Sequence, residues 1–306
     1  MPGSLITSLD PYAPPRTFRQ PAEYVRRGFC FVLYFSENMP KRLVINADDF
    51  GFSDGVNMAV KEGCEKGVIL SASIMATGDK FEEAVKIAKE NPGLGVGVHL
   101  NIYRGTPLLE RGKVKSLVGE DRKFFGKIQR IAPRLLFGKI KLMEVEKEWR
   151  AQIEKVIGAG IKPTHLDSDK HLHLWPSLFE VAARLAKEYD IKFIRLVREP
   201  FSWNPLAIAL NLLSGYNARV ALKYGLETTS STLGLSQRPI SAEGFFSALR
   251  RARGERVEFL CHPSAQAEND KFGQSRVKEF ETLSNQGLKF LIEREGFGLL
   301  NFGKIE

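Results

Sequence analysis

Cysteine is scarce in this 306-residue chain. Cys30, Cys64 and Cys261 are the complete set, widely spaced and without a CxxC pair. Three thiols cannot staple 306 residues, and a cysteine-based zinc site has no spacing to rest on. The expectation is a reducing compartment, the cytoplasm. Long apolar runs are missing too. The run Phe29–Phe35 falls far short of the ~20 residues of a membrane helix. It follows Arg26 and Arg27, but no small-residue cleavage site comes after it, so it makes a poor signal peptide. No GxGxxG follows the first strand pattern and no GxxxxGK[ST] occurs, which removes dinucleotide-binding and P-loop readings. Nucleic acid is not an expected partner, because neither a recognition motif nor a set of stacking aromatics accompanies the basic residues.

What is present is ordinary globular composition, 43% hydrophobic and 26% charged, with enough chain to bury a full core. The net charge of +9 suits anionic partners, although charge alone does not choose one. Residues 1–38 differ from the rest. From Pro11 to Gln20 the chain is rich in proline and arginine and lacks periodicity. We read 1–38 as a poorly ordered extension, with Met39 as the natural start, and 39–306 as one domain.

From residue 42 the pattern alternates. Arg42–Ala47 reads as a buried strand, and Val56, Ala59, Val60, Gly63 and Cys64 share one helical face. Strands follow at 68–76, 94–101, 164–168, 191–197, 256–261 and 298–302. Helices lie between them, around Phe81–Ala88, Val145–Val156, Pro176–Tyr189 and Ser241–Arg251, and within Val277–Glu295. Repeated βα units imply a parallel sheet. The fold class expected is α/β, an irregular (β/α) barrel of about seven parallel strands.

Histidine is the other scarce residue, and its placement is informative. His99 ends one strand pattern and His262 ends another, just before Pro263. His165, His171 and His173 fall within nine residues. All five are expected at or beyond strand C-terminal ends, the edge where parallel βα folds build sites. Asp48 and Asp49 sit where the first apolar strand stops. Alone they would fit a helix cap and turn. Beside the histidines they read as one carboxylate for a metal and a neighbour reaching a water on it. In an extended chain His165, Asp167, Asp169, His171 and His173 would share one face over roughly 26 Å. A single ion cannot touch them all, so one would ligate and the rest would orient ligands, water or substrate.

Four linked motifs carry a resemblance. They are Asn46-Ala-Asp-Asp-Phe-Gly51, Gly97-Val-His-Leu100, His165-Leu-Asp-Ser-x-x-His-x-His173 and His262-Pro263. In order and spacing they resemble the YdjC-like carbohydrate deacetylases from about residue 42 to the C-terminus. The resemblance implies a distorted (β/α) barrel related to polysaccharide deacetylases. It also implies a divalent metal held by an Asp-His-His set and hydrolysis of an N-acetyl group on an amino sugar by metal-activated water. Carried over, Asp49 and His99 are metal ligands, Asp48 the general base and His262 the general acid. The third ligand departs from the pattern, because Asp169 stands where the family has a histidine. A carboxylate can bind zinc or magnesium, and the harder donor set favours magnesium over zinc. The alternative is a sugar or glycolipid binder that kept the pocket and lost the metal.

Two segments bear on the substrate. Lys123–Leu142 interleaves basic and apolar residues, and Phe201–Leu222 is rich in apolar ones. Basic plus apolar is the composition of an interfacial segment, so peripheral membrane contact and a glycolipid substrate are expectations, with ordinary core-facing helices the competing one. Arg195-Leu-Val-Arg-Glu-Pro200, before the second segment, is similar to the hopanoid-biosynthesis branch of the family, and Arg195 joins the candidate site residues on that ground. A homodimer completes the expected partners.

Overall fold

The computed structural model describes residues 40–200, 203–236, 240–268 and 272–305. The expectation for residues 1–38 lies outside them.

The elements run β1 (Lys41–Phe50), α1 (Asp54–Glu65), β2 (Ser71–Ile74), α2 (Phe81–Glu90), β3 (Gly95–Leu100), α3 (Ile128–Leu136) and α4 (Leu142–Gly158). Then come β4 (His165–Ser168), α5 (Pro176–Glu188), β5 (Phe193–Ile194), α6 (Pro205–Lys223) and β6 (Ser231–Leu233). The chain closes with α7 (Ala242–Arg250), β7 (Arg256–Cys261), α8 (Gly273–Leu283), α9 (Leu288–Arg294) and β8 (Phe297–Leu299). Helix starts follow local chemistry. Ser53 caps α1 by accepting from the Val56 amide, and Ser241 caps α7 by accepting from Gly244. Pro176 opens α5, where a missing N–H costs nothing.

Every strand pairing is parallel, in the order β5-β4-β3-β2-β1-β7-β6. β8 joins the lower half of β1, pairing Lys41–Leu43 with Phe297–Leu299. The sheet curls into an irregular barrel. The seam between β5 and β6 is crossed by a few bonds, among them Ile194 N–H to Glu227 O at 3.0 Å and Thr232 N–H to Arg198 O at 3.0 Å. β6 is a strand that the sequence pattern did not signal. It has three residues, and only its ladder to β7 identifies it. β2 and β5 are also shorter than their apolar runs suggested, and β8 begins at Phe297 rather than Gly298.

Alternation along the strands sorts the side chains into two populations. Leu43, Ile45 and Ala47 of β1, Val96 and Val98 of β3, and Val257, Phe259 and Cys261 of β7 belong to the large outer core beneath the helices. Removing such apolar area from water is the main force holding helices to the sheet. The opposite face holds a small separate cluster of Val44, Phe193, Phe302 and Ile305. Around that plug the barrel interior is polar: Asn46, Ser73, His99, His165, Asp167, Arg195 and Glu258 are all buried. Buried polar groups need partners. The interior is therefore a hydrogen-bonded network rather than an apolar core.

The two basic–apolar segments become α3 and α6 with their flanks. α6 buries Ala207, Leu210, Ser214, Asn217 and Ala221, while Leu206, Leu212 and Leu222 are exposed. At the end of α3, Leu136 and the following Phe137 are exposed as well. α6 thus packs part of its surface against the domain and leaves part exposed. Among the described residues no helix is long and apolar enough to cross a membrane.

Candidate functional site

β1 carries Asp48 and Asp49 to the C-terminal mouth of the barrel. In a regular strand these neighbours would point to opposite faces. Here Asp49 adopts φ 68, and the β1–β2 register shifts between Ala47 and Phe50. A non-glycine residue in the left-handed region is uncommon and strained, and such strain concentrates at functional sites. Its effect is that both carboxylates come within reach of His99. Asp49 Oδ1 lies 3.6 Å from His99 Nε2.

His99 is the penultimate residue of β3, and its other ring nitrogen is committed. Nδ1 donates to Asp167 Oδ1 at 2.8 Å, since a carboxylate can only accept. Nε2 is thereby the nitrogen aimed at Asp49. Burial alone would lower the His99 pKa, but Asp167, with Asp48 and Asp49 behind it, raises it to about 9. Ion uptake on Nε2 would release that proton.

Asp167 is the hub of the interior. It accepts from His99, from Ser73 Oγ at 2.7 Å, and pairs with Arg195 Nη1 at 2.5 Å. Burial would raise its carboxyl, yet Arg195 and His99 hold it well below the usual carboxylate range. Ser73 Oγ also accepts from Asn46 Nδ2 at 2.8 Å and meets His165 Nε2 at 2.9 Å.

Arg195 is fully buried and serves three carboxylates. Its two terminal nitrogens each donate to one oxygen of Asp48 at 2.8 Å, a bidentate clamp, and Nε donates to Glu258 Oε1 at 2.7 Å. One guanidinium cannot neutralise Asp48, Asp167 and Glu258 together. Burial pushes Glu258 up to about 7, opposed by Arg195 and assisted by Asp48 and Asp167. His262, just past β7, faces Asp48 Oδ2 with Nε2 at 3.7 Å and is partly open to solvent.

Asp169 completes a second grouping. Donor atoms of Asp49, His99 and Asp169 lie within 4.8 Å of one another, as do those of Asp48, His99 and Asp167. The first grouping fits a divalent ion. Ligands at about 2.0–2.2 Å from one centre stand roughly 3–4 Å apart, and one imidazole with two carboxylates is a working donor set. Asp49 would be driven up by burial, but Arg104 and Arg276, with His262 and His99, hold it ionised and well below its ordinary range. Of the two groupings, Asp49-His99-Asp169 is the better cation site. In the other, Asp48 and Asp167 are held by the fully buried Arg195, whereas the Arg104 that spans Asp49 and Asp169 is about one-fifth exposed.

The extended row expected over 165–173 does not form. β4 ends at Ser168, where its pairing with Leu100 ends, and the chain turns into a 3-10 segment over Asp169–Leu174. Lys170 and His171 take φ 55 and φ 54, which breaks the alternation that would have kept Asp169, His171 and His173 on one face. His171 stands on this turn and is half-buried. His173 folds back, so that Nδ1 meets Ser168 Oγ at 2.6 Å and Nε2 donates to the Arg195 carbonyl at 2.9 Å. Burial lowers its pKa to about 4, leaving it neutral. His165 corrects the strand-end expectation, because it opens β4 instead of ending it. It sits deep in the barrel against Phe302, ring centroids 4.2 Å apart, and burial lowers its pKa to about 3. Its ring also explains Gly97, where a Cβ would come within 2.4–2.5 Å of the imidazole.

Sequence reasoning missed Arg104, Arg276, Ser73 and Glu258. Arg276 comes from α8 and donates to Asp49 Oδ2 at 2.7 Å across 227 residues, and no local pattern announces that. Glu258 did carry a signal: it is a charge inside the apolar strand Val257-Glu-Phe-Leu-Cys261.

The chain as a whole matches a recognised family. The profile of YdjC-like proteins matches residues 42–294. A carbohydrate deacetylase of Clostridium beijerinckii is 33% identical over 271 residues, covering 86% of this chain and 100% of its own. A carbohydrate deacetylase of Geobacillus stearothermophilus is 31% identical over 272 residues, covering 86% and 98%. A crystal structure of an Enterococcus faecalis protein superimposes with a TM-score of 0.70 at 30% identity, covering 86% of this chain and 98% of that one. With its profile matched over most of the barrel and curated relatives aligned along nearly their whole length, this chain belongs to the YdjC-like family.

Proposed function

We propose that this protein is a metal-dependent hydrolase that removes the N-acetyl group from an amino sugar. The observation that carries the reading is the convergence of Asp49, His99 and Asp169 on one point beside the Arg195-clamped Asp48. The names of its relatives, carbohydrate deacetylases, point the same way.

A divalent ion held by Asp49, His99 and Asp169 supplies Lewis acidity toward the amide carbonyl and acidifies a water. The donor set is two carboxylates and one imidazole, and we assign magnesium ahead of zinc on that ground. The other groups follow from the chain's own geometry. Asp48 is the general base. The bidentate clamp of Arg195 fixes the plane of its carboxylate, so its free lone pairs meet an attacking water in one orientation. His262 is the general acid. It stands 3.7 Å from Asp48 at the open side of the site, where a departing amine can collect its proton. Asp167 orients His99, and His165, through Ser73, orients Asp167. His173 steadies the backbone carbonyl of Arg195. We assign these residues to positioning rather than to contact with the reacting atoms, and we leave His171 a role in substrate contact. The exposed apolar residues of α6 and of the α3 flank support a lipid-linked amino sugar and peripheral membrane contact within the same activity.

A second reading is favoured by one observation. Arg104 lies between Asp49 and Asp169, as a built-in cation would in a sugar-binding protein that no longer takes a metal. The test is mass spectrometry of N-acetylglucosamine oligomers and N-acetylated glycolipids after incubation with protein and magnesium, manganese or zinc. Loss of an acetyl group that disappears in Asp49→Ala and His99→Ala is the expected result. Binding of sugar with no acetyl loss under any ion would establish the binder instead. Asp169→His should retain the ion and shift preference toward zinc, whereas equal metal affinity in wild type, Asp169→Ala and Asp169→His would remove position 169 from the site.

A further inference from the structure

Arg104 is held at the mouth of the barrel from two directions. Its backbone is fixed by Asn101, whose Oδ1 accepts from the Tyr103 and Arg104 amides and whose Nδ2 donates to the Arg104 carbonyl at 2.8 Å. Its guanidinium lies on the Phe52 ring, 4.3 Å from the centroid. From there Nη2 donates to Asp49 Oδ1 at 2.5 Å, and Nε lies 2.7 Å from Asp169 Oδ2. Asp49 Oδ1 is the same oxygen that faces His99 Nε2. The side chain is about one-fifth exposed, so only its own rotamers separate it from solvent.

We propose that Arg104 is a displaceable counter-cation of the Asp49-Asp169 pair, competing with the divalent ion for the same carboxylate oxygens. This rests on the metal site proposed above. Two buried carboxylates close together repel unless a positive charge lies between them. Arg104 provides that charge and holds the two carboxylates in place. A divalent ion cannot reach those oxygens while the guanidinium donates to them, and two like charges in one small site repel. Uptake therefore requires Arg104 to turn outward past Phe52, while Asn101 keeps its backbone fixed. Arg276 plays no such part. It holds Asp49 through the other oxygen, Oδ2, and is buried within α8. The device weakens resting metal affinity and protects the empty carboxylate pair from mutual repulsion. It is coupled to Asp169, whose oxygen Arg104 reaches; a histidine there would be a poorer partner for an arginine.

The test is a calorimetric titration of wild type, Arg104→Ala and Arg104→Met with magnesium and with zinc, plus thermal melting with a chelator and with saturating ion. Arg104→Met keeps apolar contact with Phe52 and reads the same competition if the alanine variant folds poorly. Metal affinity should rise in both variants by about tenfold or more, the equivalent of one charge-assisted hydrogen bond that no longer has to be broken. In chelator the variants should melt below wild type, and saturating ion should restore them by more than it lifts wild type. Ion binding by wild type with equal or weaker binding by both variants would overturn the competition and leave the metal site standing. Binding by none of the three would overturn the metal site itself, and the counter-cation role with it. Binding by the variants alone would show that Arg104 is never displaced, and would overturn both the displacement and the metal-dependent activity of the wild type.

Discussion

Asp167 Oδ1 accepts the His99 Nδ1 proton at 2.8 Å with both side chains buried, and this bond decides which imidazole nitrogen faces Asp49. Asp167→Asn places an amide where a carboxylate was. It removes the charge that favours the Nδ1–H tautomer and frees the ring to turn. Metal affinity should fall by about 10–100-fold, the usual cost of losing such a partner, with the fold retained. Calorimetric titration of the variant reads this directly. An unchanged dissociation constant would separate Asp167 from ligand orientation.

Asp48 and His262 are predicted to separate binding from turnover. Asp48→Asn should keep the ion and lose about 10²–10⁴ in kcat, the range of a general acid–base group. His262→Ala should lose a similar factor and remove one limb of the pH–rate profile. Arg195→Lys cannot clamp both oxygens of Asp48, so it should lower kcat and leave metal content intact. Metal analysis beside steady-state kinetics checks all three, and full activity in any one removes that residue from the mechanism.

Glu258 gives the chain a defined pH signature. Its carboxyl titrates at about 7 in the folded protein against 4.5 when unperturbed. Between those values the folded state binds the extra proton, so stability falls as pH rises from 4.5 to 7, by about 3 kcal/mol in all. His165 and His173 act on the acid side. Buried neutral with pKa values of about 3 and 4, they lose stability as pH falls below 6.5, because the unfolded chain takes up those protons first. Glu258→Gln imitates the protonated acid. Its stability between pH 4.5 and 7 should therefore be flatter than wild type, with the gain greatest above pH 7. Denaturant melts across pH 4.5–8.5 measure the slope, and parallel curves for the two proteins would contradict the assignment.

Gly97 tests the packing beneath the site. Gly97→Ala drives a methyl to within 2.4–2.5 Å of the His165 ring, which is wedged between Gly97 and Phe302. Overpacking of this kind costs about 1–3 kcal/mol. Thermal melting should show a loss of several degrees. A melting point equal to wild type would mean that His165 has room to move.

Much of this molecule was legible in the sequence, for identifiable physical reasons. Apolar periodicity of 2 and 3.6 marks β1, β3, β7 and most of the helices, because each must bury one face. Ser241 and Pro176 announce helix starts, because capping is local chemistry. Asp48, Asp49, His99 and His262 could be placed at strand ends because a charge halts an apolar run where the barrel opens to water. Tertiary structure decided what no local pattern records. The left-handed Asp49 and the β1 register shift turn two neighbouring carboxylates toward one histidine. The turn at Lys170 and His171 dismantles the row that alternation alone would have built, because a strand continues only while a neighbour pairs with it. Arg104, Arg195, Glu258 and Arg276 reach the site from a loop and from elements far apart in the chain. The bonds of the arginines to Asp48, Asp49 and Asp167, and of Glu258 to Arg195, exist only because closing the barrel brings distant charges into one buried space, where each must find a partner.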